Sequence, residues 1–333
     1  MEKYYRVLDK VRGRILQMPN VVGIGVGYKR VGMTRTDKPA IVVFVNKKVS
    51  AVSLRRNQKV PGELDGLDTD VVEIGRVRLL DRVMKMRPAF PGSSVGHYKI
   101  SAGTLGAVVK DKHTGEKFIL SNNHILANGS SGSDGRAKAG DAILQPGPYD
   151  GGKQSDKIAE LVRFIPLIRT SQQSDCPVAA GVAGIGNRFI KLIRPTYEMR
   201  FYKYSRSTNV VDCAVARPMN NSLIGEEIVE LGSVSGVGEV QEGTWVQKSG
   251  RTTGVTSGVV TAMGVTLRVE LSDDESGWFS DQVVADVMCQ PGDSGSLILN
   301  KENKAVGLLF AGSDSHCIFN RIQNVLKLLE VEF

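Results

Sequence analysis

A mainly β chain with a small α+β unit on its N-terminal side is what the sequence predicts, and three observations carry that expectation. Thirty-seven glycines punctuate many short Val/Ile runs along 333 residues, the pattern of strands joined by tight turns. A clear helical period occurs close to the start, before the strand-like runs begin. A hydrophobic content of 41% is enough for a large core divided over two or three domains.

The elements follow in order. Tyr4, Val7, Leu8, Val11 and Ile15 recur at helical spacing and predict one amphipathic helix. "VVGIGVG" (21–27) alternates strictly, with Val22, Ile24 and Val26 on one face and glycines on the other. "AIVVFV" (40–45) and "TDVVEIG" (69–75) read as further strands, punctuated by Pro61 and Gly62. The glycine alternation is not GxGxxG, and the sequence has no Walker pattern. Close backbone packing is therefore expected there rather than nucleotide binding. "RPAFPGSS" (87–94) reads as a linker, so residues 1–90 are expected to form a separate basic module. Beyond it, "AGTLGAVV" (102–109), the polar turn "KDKHTGEK" and the return strand "FILSNNHIL" (118–126) predict a hairpin. The segment 163–194 reads as an insertion with some helix, and "NVVDCAVA" (209–216) as another apolar strand.

Charge is uneven. Residues 1–60 hold fourteen Lys/Arg against three Asp/Glu, whereas residues 91–333 are close to neutral. The stretch "NKKVSAVSLRRNQK" (46–59) carries five basic residues and no acid. Such a segment keeps a strand edge from pairing, or docks on an acidic partner or on nucleic acid. Aromatics for base stacking are scarce there, which favours a protein contact, within the chain or in a homo-oligomer, over nucleic acid. The first eighteen residues carry charges throughout and lack the apolar core of a secretory signal, and no apolar run approaches a membrane span. A cytoplasmic protein without membrane contact is expected. Four cysteines (176, 213, 289, 317) without framework spacing fit a reducing compartment.

Three features bear on chemistry. "QPGDSGSLIL" (290–299) sets Ser294 in a Gly-Asp-Ser-Gly turn before an apolar strand. Flanking glycines let backbone N–H groups gather beside the hydroxyl, which suits a nucleophile with an oxyanion hole; a glycine-rich hairpin turn is the plainer alternative. Among four histidines, His124 alone directly follows an apolar strand, while His97, His113 and His316 lie in polar surroundings. Asp212 stands in the apolar run "VVDCAVA", where a carboxylate needs a specific partner, and an imidazole N–H is a natural one.

In the order His, Asp, Ser, these segments resemble the trypsin-like serine endopeptidases of the chymotrypsin clan in their bacterial form. "LSNNHIL" resembles the histidine segment of HtrA-type proteases, and "KSGRTTGVTSGVVTA" (248–262) a stretch of the second barrel in streptogrisin and α-lytic-type enzymes. "FNRIQNVLKLLEV" (319–331) resembles the clan's closing helix. The resemblance covers about residues 95–333. It implies two six-stranded β-barrels, over 95–218 (with the insertion near 163–205) and 219–333, with a cleft between them. It further implies Ser294 as nucleophile, His124 as base and acid, Asp212 as orienter, and the N–H groups of Gly292 and Ser294 as the oxyanion hole. Phe310, Ala311 and Gly312 fall where the family pairs the substrate backbone. Met288 falls near the pocket floor, where it offers no countercharge to a basic P1 side chain. Related secreted enzymes join the regions of Cys289 and Cys317 by a disulfide, so these two are expected close in space and reduced. No metal or cofactor is required, and the partners are protein or peptide substrates. The rival reading keeps the fold without the chemistry: a silent peptide-binding scaffold whose basic N-terminal module binds a partner or nucleic acid.

Overall fold

The computed structural model describes residues 1–31, 34–49, 54–55, 58–75, 82–99, 102–174, 176–272, 274–313 and 315–333. It divides into two compact units, Met1–Leu80 and Asp81–Phe333. Part of the basic stretch 46–59, residues 50–53 and 56–57, lies outside the described residues.

In the first unit, α1 (Glu2–Leu16) precedes the strands β1 (Val21–Val31), β2 (Thr34–Val45), β3 (Glu63–Leu64) and β4 (Leu67–Glu73). They form one sheet in the order β1-β2-β4-β3, with β2 and β4 parallel. The helical period buries Leu8, Val11 and Ile15 of α1 against Ile41, Val43 and Val45, with Ile24 and Val26 packed alongside. The glycines of β1 alternate with these residues, opposite Val42 and Phe44 of β2.

The second unit runs through β5 (Ser94–His97), β6 (Gly103–Thr104), β7 (Ala107–Asp111), β8 (Lys117–Ser121), α2 (Asn123–Leu126), β9 (Ala142–Leu144) and β10 (Lys157–Phe164). Then come β11 (Ser171–Gln173), α3 (Pro177–Ile193), β12 (Tyr202–Tyr204) and β13 (Ala214–Pro218). The chain continues with β14 (Trp245–Gly250), β15 (Gly254–Ser272), β16 (Glu275–Ala285), β17 (Leu297–Asn300), β18 (Ala305–Gly312), β19 (Cys317–Arg321), α4 (Ile322–Leu328) and β20 (Val331–Glu332). The protein is thus mainly β, with two β bodies in this unit and the α+β unit before it. The second body is a closed six-stranded barrel in the order β14-β15-β16-β19-β18-β17. The first differs from the six strands expected. It is an eight-stranded sheet, β20-β7-β8-β13-β10-β9-β5-β6, lengthened at one end by β20, which returns after α4 to pair with β7, and at the other by the two-residue β6 beside β5. Alternating apolar residues of both bodies interlock in one core, with Leu120 and Val215 of the sheet meeting Leu297, Leu308 and Val325.

The stretch 87–94, expected as a linker, is instead part of the second unit. Ala89, Ser93 and Ser94 are buried, and Ala89 bonds to Leu223 through its N–H. Proline and glycine serve linkers and buried turns alike, so composition alone does not separate the two. The insertion consists of the β11–β12 hairpin and α3, whose Val178, Ile185, Phe189 and Leu192 are exposed. Among the described residues no helix is long and apolar enough to cross a membrane.

Candidate active site

Strand register brings the first two candidate residues together. Ser121, the last residue of β8, pairs with Ala214, the first of β13, so the chain leaving β8 and the chain entering β13 run side by side. His124 lies on α2 directly after β8, and its Nδ1 is 2.5 Å from Asp212 Oδ2. The His124 backbone N–H also donates to Asp212 Oδ1 at 3.2 Å. Asp212 is not in the middle of a strand as its apolar run suggests, because β13 begins two residues later. Its N–H donates to Asn320 Oδ1 at 2.9 Å, and its C=O accepts from Asn122 Nδ2 at 2.7 Å. Side chains replace the sheet ladder there, so the backbone is held while the carboxylate stays turned to the imidazole. Asp212 is almost fully buried, whereas His124 is partly open on its other side. Contact through Nδ1 leaves Nε2 as the free ring nitrogen.

Ser294 approaches from the closed barrel. Gly292 at φ +100 and Gly295 at φ +95 bracket the turn, conformations that side chains rarely adopt. A Cβ on Gly295 would lie 2.2 Å from Ser121 Oγ and 2.3 Å from the Thr104 carbonyl, so the turn is pressed onto the first body. Thr104 fastens it there: its N–H donates to Ser294 O at 2.8 Å and its hydroxyl to Gly292 O at 2.9 Å. Among the described residues the N–H groups of Asp293, Gly295 and Ser296 are bonded, to Gln290, Leu309 and Asp293, while those of Gly292 and Ser294 have no acceptor. The Ser294 hydroxyl donates to the Phe310 carbonyl at 3.3 Å.

Beneath the turn lies an ion pair that sequence reasoning missed. Lys248 of β14 and Asp293 are both fully buried, with Nζ 3.2 Å from Oδ2. The carboxylate also accepts from the N–H groups of Thr252, Thr253 and Gln290 at 2.9, 3.0 and 3.0 Å and from the Thr253 hydroxyl at 2.7 Å. Burial pushes the Asp293 pKa up, but the Lys248 charge and these hydrogen bonds outweigh it and hold it below the usual carboxylate value. Lys248 stands between Gln247 and Ser249, so its neighbours in sequence do not mark it as buried.

His124, Asp212 and Ser294 line one cavity of about 660 Å³. Phe310, Ala311 and Gly312 line it as well, joined by Cys289, Gln290 and Pro291. Met288 is not on its wall. It is more than half exposed, and its carbonyl accepts from the Thr256 hydroxyl at 2.8 Å. Asp286, the nearest acid in sequence, is turned to the Val259 N–H and is also off the wall. Cys289 and Cys317 are free and neighbouring: a Cβ on Gly312 would lie 2.2 Å from Cys289 Sγ and 3.6 Å from Cys317 Cα. Burial pushes the Cys317 thiol up to about 12, with the nearby Cys289 adding to the shift. His97 differs from expectation, being fully buried on β5 and 3.0 Å from Asp141, away from this cavity. Among the described residues no cluster of His, Cys, Asp and Glu has the makings of a metal site.

A family model described as the NARROW LEAF 1 N-terminal domain matches residues 8–75. No curated protein matches. Among solved structures the chain is similar to a chymotrypsin of Cellulomonas bogoriensis, at 15% identity over 73% of this chain and 97% of that one, with a TM-score of 0.44. Protease A of Thermobifida fusca is similar at 13% identity over 73% and 96%, with a TM-score of 0.45. A glutamic acid specific serine protease is similar at 18% identity over 73% and 98%, with a TM-score of 0.46. At this distance the likeness says nothing of activity.

Proposed function

We propose that the protein is a serine endopeptidase that cleaves protein or peptide substrates through an acyl-enzyme on Ser294. The observation that supports this most is the meeting, on one cavity, of a His–Asp pair from the first body with a glycine-bracketed serine from the second. In this reading the Ser294 hydroxyl leaves the Phe310 carbonyl, turns to His124 Nε2 and attacks the substrate carbonyl as the imidazole takes its proton. Asp212 fixes the tautomer and stabilises the imidazolium. The unbonded N–H groups of Gly292 and Ser294 receive the oxyanion. His124 then returns the proton to the leaving amine, and a water molecule activated by the same imidazole releases the acyl group. Lys248 supplies from within the chain the cation that holds Asp293 in this turn.

The test is labelling with a fluorophosphonate probe together with cleavage of casein or a peptide mixture. Wild-type protein is expected to be labelled and to cleave. Ser294→Ala should lose label and nearly all hydrolysis, on the order of a millionfold in rate. Asp212→Asn should remain folded and lose roughly 10⁴-fold. Undiminished cleavage by Ser294→Ala, or no labelling of a folded wild type, would overturn the reading and favour the silent scaffold.

A further inference from the structure

Among the described residues the barrel has two free strand edges, and both border the same cavity. The first is the end of β18. Its pairing with β17 stops at Leu308, and Leu309 still exchanges bonds with Gly295 and Ser296; Phe310 stands at a register shift with its carbonyl facing the Ser294 hydroxyl, and among the described residues Ala311 and Gly312 pair only with β19 on their other side. The second is the outer half of β15. This strand is nineteen residues long, and β14 accompanies it only from Gly254 to Val259. Val260 still exchanges bonds with Gly243 and Thr244, but from Thr261 to Ser272 the strand's partner is β16 alone among the described residues, so one edge of that half is unpaired. β15 and β18 are not neighbours in the barrel order.

Leu267, Arg268, Val269, Glu270 and Leu271 all line the cavity. Successive side chains of a strand point to opposite faces, so a strand presenting one face would contribute every second residue. Five in a row means that the strand turns its edge, with unpaired N–H and C=O groups at alternate residues, toward the space before Ser294. The side chains differ by face. Leu267, Val269 and Leu271 are half-buried, and Val269 and Leu271 pack with Phe310, Phe279 and Leu167 into an apolar floor. Arg268 and Glu270 are exposed at the rim. A long free edge ordinarily invites aggregation, and charges along it are the usual protection. Here the edge borders the cavity that holds His124, Asp212 and Ser294, which suits capture of an extended chain by strand addition.

We infer that Leu267–Leu271 is a second substrate-binding strand. The peptide lies as a middle strand between this edge and Phe310–Gly312, and it presents apolar side chains, two residues apart, to the floor made by Val269, Leu271 and Phe310. The inference rests on the endopeptidase reading for the identity of the occupant. Its consequence is specificity spread over several residues of an extended apolar segment rather than concentrated in one pocket.

Backbone N-methylation of the peptide tests this without altering the protein. Successive N–H groups of a middle strand point to opposite edges, so each methyl removes a bond to one edge only. A decapeptide chosen from a library with apolar residues at alternate positions is methylated at one position at a time on the acyl side. Cleavage is measured as kcat/KM, and binding to Ser294→Ala as Kd. Pairing on both edges predicts losses of roughly 3- to 10-fold at adjacent positions of both parities. Losses confined to every second position, in a protein that cleaves, would overturn the second strand and leave the endopeptidase reading standing. Binding sensitive at both parities without any cleavage by wild type would keep the second strand and overturn the endopeptidase. No binding and no cleavage of any library peptide would overturn both. A further variant, Leu271→Ser, should broaden the apolar preference at the floor-facing positions; an unchanged profile in the folded variant counts against the floor.

Discussion

Replacing Lys248 by methionine removes a charge from a place with no access to water. Both Lys248 and Asp293 are fully buried, so solvent cannot take over the lost attraction. The variant keeps four of the five donors to Asp293, those from Thr252, Thr253 (two) and Gln290, and loses only the ammonium. Removing one partner of a buried ion pair typically costs about 3–5 kcal/mol. The surviving hydrogen bonds put the expectation at the lower end, about 3 kcal/mol, or a fall in melting temperature of about 6–12 °C for a domain of this size. The pH dependence has a definite sign. Asp293 has its native pKa lowered, so its contribution is present above the ordinary carboxylate value near 3.8 and is lost as pH falls through the native pKa. Lys248 is the largest lowering influence on Asp293, so the gap between wild type and variant should narrow below about pH 4. Thermal melts from pH 3 to 8 measure this. The double variant Lys248→Met, Asp293→Asn should recover part of the loss, because no unpaired charge is left buried. A single variant that melts within about 2 °C of wild type, or a double variant as unstable as the sum of the singles, would show that the ammonium does not hold Asp293.

Three further outcomes are expected. Among the described residues the acids on the cavity wall are Asp212, held by His124, and Glu270, exposed at the rim, so a peptide library should show small or apolar P1 residues; a strong Arg or Lys preference would contradict this. Cys176 is exposed, while burial pushes the thiols of Cys213, Cys289 and Cys317 up, so iodoacetamide at neutral pH should modify Cys176 first, as peptide mapping would show; faster modification of Cys289 would refute the order. Burial raises the Asp134 pKa, but hydrogen bonds from Ser131, Ser130 and Arg136 and the Arg169 charge hold it at about 2, so roughly 2 kcal/mol of stability should be lost as pH falls from 3.8 toward 2. Denaturant titrations across that range should show a flatter dependence for Asp134→Asn, and an identical slope would count against this role of Asp134.

Much of the fold could be read from alternation, because strands with one buried face carry a period of two. β1, β2, β7 and β8 stand within a few residues of where their apolar runs suggest. The outer half of β15 was harder to read, since its alternation of half-buried and exposed residues leaves few fully apolar positions. Asp212 and His124 were legible for a different reason: an ionisable group in apolar surroundings demands a partner. Lys248 and Asp293 obey the same rule, yet their partners are 45 residues apart and flanked by other polar residues, so pairing them needed the barrel. Thr104 gave no signal, because a threonine near a strand end is ordinary and its two bonds to the Ser294 turn arise only when the bodies dock. Counting back from Ser294 placed Met288 at the pocket. Thr256 holds the Met288 carbonyl and Val259 holds Asp286, and Cys289 rather than Met288 stands on the wall.

The pairing of β20 with β7 bears on how the protein is made. Val331 and Glu332 sit opposite Asp111 and Lys110, and Arg163 donates to the Leu329 carbonyl at 2.8 Å from the same side. A ribosome that has finished the hairpin of β7 and β8 must add more than two hundred further residues before the strand that covers its edge exists. At the usual pace of about 5–20 residues per second, that edge stays bare for on the order of ten to forty seconds. Val109 and Phe118, which are packed with Val325, Leu329 and Val331 in the finished protein, wait just as long for their neighbours. Nascent chains stalled before residue 331 should therefore be the form most in need of a chaperone.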